Sequence, residues 1–72
     1  MTRQVPIRGD SIRLGQLLKL AGLVGSGGHI KAFLSETSVT VNGEPENRRG
    51  RQLRVGDEVM AGTERLRVVA SG

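Results

Sequence analysis

The sequence predicts an α+β domain in which two N-terminal helices pack on a small antiparallel β-sheet. Apolar residues recur at helical spacing in the first half of the chain, at Leu14, Leu17, Leu18 and Ala21 and again at Ile30, Phe33 and Leu34, so each stretch buries one face. The second half alternates instead, at Val39-Thr-Val41 and at Arg65-Leu-Arg-Val68, which is the period of a half-buried strand. Asn42-Gly43 follows the first alternating run. Both residues tolerate the positive φ of a type I′ hairpin turn, so the chain reverses there. Seventy-two residues allow one domain, residues 1–72, with a small core.

Residues 3–8 read as a short edge strand interrupted by Pro6 or as a frayed tail. Asp10 or Ser11 can cap a first helix over 11–21, and Gly22 suits its C-terminal cap. Arg13, Gln16 and Lys19 fall off the apolar stripe, so this helix has a basic side to offer, and Lys19 also complements the helix dipole. Gly25-Ser-Gly-Gly28 resembles a linker in composition. Ser26 is nevertheless a favoured N-cap, and the apolar spacing that follows predicts a second helix beginning there. Two glycines in its first turn cost roughly 1 kcal/mol each relative to alanine. Close approach of a phosphate to bare N–H groups and tight helix packing are both adequate reasons for them. Lys31 lies beside the buried stripe, within reach of solvent. Beyond the hairpin, Leu53 and Val55 lead into a Val55-Gly-Asp57 turn. Strands over 58–61 and 65–69 follow, with Leu66 and Val68 on one side and Arg65 and Arg67 on the other.

Eleven basic and seven acidic residues give a formal charge of +4 and a pI near 11.2, a balance that favours a polyanionic partner. The charge is also segregated. Residues 11–35 carry Arg13, Lys19, Lys31 and His29 with no acid, and Arg48, Arg49, Arg51 and Arg54 form a second basic run. Folding that brings these segments together makes one basic face. An arginine run of this kind also suits a solvated loop that serves solubility alone. Phe33 is the only aromatic residue, so base stacking on aromatic platforms is not expected, and a nucleic-acid ligand would be read through phosphate and shape.

Other classes are disfavoured. There is no cysteine and one histidine, which leaves neither disulfides nor a zinc site to build. No nucleophile has a base in a recognisable motif, and residues 25–31 do not match a phosphate-binding loop of the Gly-x-x-x-x-Gly-Lys-Ser/Thr type. Neither catalysis nor a cofactor is expected. No apolar run is long enough to span a membrane, and the first eight residues lack the apolar stretch of a secretion signal, so a cytoplasmic chain is expected.

Five pieces, in this order and spacing, resemble the RNA-binding domain named after small-subunit ribosomal protein four, the S-four domain or αL motif. They are Leu14-Gly-Gln-Leu-Leu-Lys-Leu-Ala-Gly22, Ser26-Gly-Gly-His-Ile-Lys31, Val39-Thr-Val-Asn-Gly43, Arg48-Arg-Gly-Arg51 and Val55-Gly-Asp57. The match runs over roughly 12–69 and is similar to the small stand-alone bacterial members. The resemblance implies a basic surface, made by two helices and the hairpin loop, that docks on structured RNA, commonly ribosomal. It points to Lys19, Ser26, Gly27, Gly28 and Lys31 on the helices and to Arg48, Arg49 and Arg51 beside them. Arg13, Arg54 and His29 join them on charge or polarity, His29 as a phosphate or 2′-hydroxyl contact. Two positions depart from the family: Gly27 stands where many members carry arginine, and Thr37 where many carry glycine. Arg54 or Arg13 could supply the missing contact. The expected partners are structured RNA and the ribosome, with no membrane, and the expected state is a monomer.

Two other readings stand beside this one. Val39-Thr-Val-Asn-Gly-Glu44 and Val55-Gly-Asp-Glu-Val59 also look similar to β-grasp sulfur carriers, which are activated at a C-terminal Gly-Gly, whereas this chain ends Ala70-Ser71-Gly72. A module that meets an acidic protein surface would carry the same charge.

Overall fold

The computed structural model describes residues 2–25 and 27–71. Its first element is a strand, β1 (Thr2–Ile7), which settles the choice between edge strand and frayed tail. Val5 and Ile7 face the core while their neighbours face solvent. Pro6 is tolerated because β1 lies at the edge of the sheet, where one side of the backbone needs no ladder partner.

The expected first helix over 11–21 is shorter. Ser11–Arg13 form a strand, β2, and α1 spans Leu14–Leu20. Neither Asp10 nor Ser11 caps the helix. The N-cap position is Arg13, in extended conformation and without a side-chain cap bond. Ile12 is drawn instead into register with Leu53, a fully buried residue, and tertiary pairing overrides the local capping signal. The other end is as the sequence predicts. Gly22 has φ +77°, and the N–H groups of Gly22 and Leu23 donate to the carbonyls of Lys19 and Leu18, both at 3.0 Å. This double bond pattern closes the helix around a left-handed glycine.

A second helix, α2, spans Gly27–Glu36. The expected cap, Ser26, lies outside the described residues. Ile30 and Leu34 are buried, and Phe33 packs half-buried against the core. Strands β3 (Val39–Val41) and β4 (Glu44–Pro45) follow. Asn42 and Gly43, at φ 51° and 87°, make the tight turn between them. After the arginine segment come β5 (Gln52–Arg54), β6 (Glu58–Ala61) and β7 (Glu64–Ala70).

The main sheet has the order β1-β7-β6-β3-β4, and β2 pairs with β5 in a separate antiparallel ribbon. The expectation of two N-terminal helices on an antiparallel sheet is corrected in two respects. Two strands precede the helices, and β1 runs parallel to β7, so the sheet is mixed. A parallel pair needs a long crossover, and here nearly the whole chain lies between the two strands. Val39, Val41, Val59, Ala61, Leu66 and Val68 line the inner face of the sheet, against Leu14, Leu17, Leu18, Ile30 and Leu34 of the helices. Among the described residues, no charged or polar residue is buried as a whole.

Candidate nucleic-acid interface

The arginine segment is fastened to the start of α1. The first N–H groups of a helix have no partner within it. In α1 the N–H of Leu14 donates to the Arg51 carbonyl and that of Gly15 to the Arg49 carbonyl, both at 2.9 Å. Gly15 permits this approach. A Cβ there would stand 3.2 Å from Ile30 Cδ1 and 3.4 Å from Arg49 Cβ and the Arg49 carbonyl oxygen. Helix α1, helix α2 and the arginine loop therefore converge on a residue without a side chain. The sequence reading missed Gly15. Its signal was a glycine in the first turn of a leucine-rich helix, placed where it weakens that helix.

Glu46 holds the loop from the other side. Its N–H donates to the Val39 carbonyl at 3.0 Å. Its carboxylate accepts from Arg48 through the backbone N–H at 3.1 Å, Nε at 3.0 Å and Nη2 at 3.2 Å, and from Arg51 Nη1 at 2.8 Å. Only 6% of the Glu46 side chain is exposed, against 72% for Arg48 and 36% for Arg51. The hydrogen bonds from Arg48, then those from Arg51, hold this carboxyl well below the usual carboxylate range, at about 2. A carboxylate whose pKa falls on folding stabilises the fold above its unfolded pKa, and that contribution disappears as pH falls through the folded value. Urea unfolding of the wild type and of E46Q should therefore differ most above pH 4.5, the wild type being more stable, and the two should converge as pH approaches 2. A gap that does not change with pH would contradict this.

The structure brings some of the expected residues together and leaves others apart. Arg13, Lys19 and Arg49, with Gly15, Gln16, Ile30 and Gly50, line a cleft of about 280 Å³ between α1 and the loop. Lys31, Leu34, Asn47 and Arg49 line a second depression of about 350 Å³. Arg49 is common to both, and no acid lines either among the described residues. Arg13, Lys19, Lys31 and Arg49 carry no ion pair among the described residues.

Arg48 and Arg51 line neither cleft and are paired to Glu46, so the arginine run is less positive than its sequence suggests. Arg54 lies on the outer face of the β2–β5 ribbon, opposite Ser11 and diagonal to Arg13. Gly28 and His29 are exposed on the first turn of α2 and line neither cleft. Gly27 begins that helix, and Ser26 lies outside the described residues. Among the described residues, no helix is long and apolar enough to cross a membrane.

The chain matches the family model described as the S4 domain over residues 5–69. It is also 56% identical, over 59 residues, to a protein of Bacillus subtilis named as a probable ribosome maturation protein, RlbA. That alignment covers 82% of this chain and 83% of the Bacillus protein. With the match running from β1 to β7, the chain belongs to the S4 domain family.

Proposed function

We propose that this protein is a non-catalytic RNA-binding protein that docks on structured RNA, ribosomal RNA foremost, through the surface around Arg49. The observation that carries this reading is the lining of the two depressions: four cations, Arg13, Lys19, Lys31 and Arg49, with no acid among them. Cations so grouped attract a phosphate backbone and release its counterions on binding. Phe33 packs against the core, so the ligand is gripped by phosphate and shape rather than by stacked bases. Similarity to a probable ribosome maturation protein supports the ribosome as the place where this RNA is met. The other expected contacts among the described residues, Gly27, Gly28, His29, Arg48, Arg51 and Arg54, are assigned lesser contributions, and Ser26 lies outside those residues.

The test is an NMR titration of labelled protein with a structured ribosomal RNA fragment at two salt concentrations. Amide shifts should fall within 13–19, 28–31 and 47–54 and fade at high salt. Shifts confined to the outer sheet face around Thr40, Met60 and Arg65 would overturn the reading and favour a partner on the opposite side. The absence of any shift with structured RNA would overturn it as well.

A further inference from the structure

A carboxylate beside a phosphate-binding surface lowers the local positive potential, and Glu46 engages two of the loop's arginines directly. The RNA-binding reading gives it no role. Its geometry does: the backbone N–H ties it to β3, and the side chain gathers Arg48 and Arg51 from either side of Arg49. The carbonyls of Arg49 and Arg51 are thereby set where α1 needs acceptors for Gly15 and Leu14. The one loop arginine that Glu46 does not hold, Arg49, lines both depressions.

We infer that Glu46 is a positioning residue: it locks residues 46–51 so that Arg49 is presented to RNA in a fixed place, while Arg48 and Arg51 serve chiefly as its ties. The inference rests on the RNA-binding reading. Its physical basis is preorganisation, because a loop already ordered in the free protein does not have to be ordered on binding.

The consequence opposes simple electrostatics. E46A raises the formal charge from +4 to +5, and charge alone predicts tighter binding. Positioning predicts the reverse, a loss of about tenfold in affinity for structured RNA, from the ordering of loop side chains that binding must then supply. R49A should lose affinity and flatten the dependence of log K on log salt by about 0.7–0.9, one phosphate contact. E46A combined with R49A should lose little more than R49A alone, since neighbours that act through one another are not additive. Circular dichroism fixes conditions under which each variant is fully folded. E46Q, which keeps an acceptor, serves if E46A does not fold.

A readout without RNA accompanies this. In the free variant, the amides of Leu14 and Gly15 should exchange with solvent several-fold faster as their loop acceptors are released. Equal or tighter RNA binding by E46A, or additive losses in the double variant, would overturn the inference while leaving RNA binding intact. If the wild type bound no RNA, the underlying reading would fail, and unchanged exchange at Leu14 and Gly15 would separately refute the lock.

Discussion

Replacing Arg13, Lys19 and Arg49 together with alanine should weaken binding to structured RNA by about two to three orders of magnitude at 0.1 M salt. Each phosphate contact contributes roughly 0.7–0.9 to the slope of log K against log salt, so three lost contacts remove a little over two units from both the slope and log K at that concentration. The fold should survive. All three side chains are exposed and none makes a side-chain hydrogen bond or ion pair among the described residues. The matched control replaces Arg3, Arg8 and Arg65, also exposed, which lowers the net charge from +4 to +1 just as the test variant does. Salt-series titrations of both variants separate a placed site from general attraction. Equal losses in the two would show that net charge, and not the surface around Arg49, holds the RNA.

Leu53→Ala should cost about 2–5 kcal/mol of stability, the range for a leucine truncated inside a packed core. Leu53 is fully buried, and it is the single core residue of β5. It pairs with Ile12 across the ribbon that delivers the chain into α1. A domain of 72 residues has about 4–11 kcal/mol in total, so this one change removes a large part of it. The urea midpoint should fall by about 2 M or more, with a slope near 1 kcal/mol/M. A midpoint shift below about 0.5 M would mean that the ribbon is not integral to the core. The two variants therefore act on different links, the first on binding with the fold intact and the second on the fold itself.

Much of the architecture was legible from periodicity. Leu14, Leu17, Leu18 and Ala21 are buried as their spacing requires, and Leu66 and Val68 face inward while Arg65 and Arg67 face out. The positive φ values at Asn42 and Gly43 follow from residue types that accept them. These features are local, set by side-chain volume, burial and backbone freedom within a few residues. The basic segments were legible too, because charge is a property of composition.

Contacts between distant residues were not legible. Local signals placed the helix start at Asp10 or Ser11, but pairing of Ile12 with Leu53, some forty positions on, turned that stretch into a strand. The cap that α1 uses is a pair of carbonyls from Arg49 and Arg51, which no local rule identifies. A run of four arginines reads as uniform positive charge, yet Glu46 ties two of them, Arg48 and Arg51, the ribbon carries Arg54, and the loop leaves Arg49 for the clefts. By itself the sequence determined which residues are apolar, which are charged and where the backbone can turn, since those depend on each residue and its near neighbours. Only the tertiary structure decided the direction of β1, the start of α1 and which cations share a surface, because each depends on hydrogen bonds and ion pairs that exist only once the chain has closed on itself.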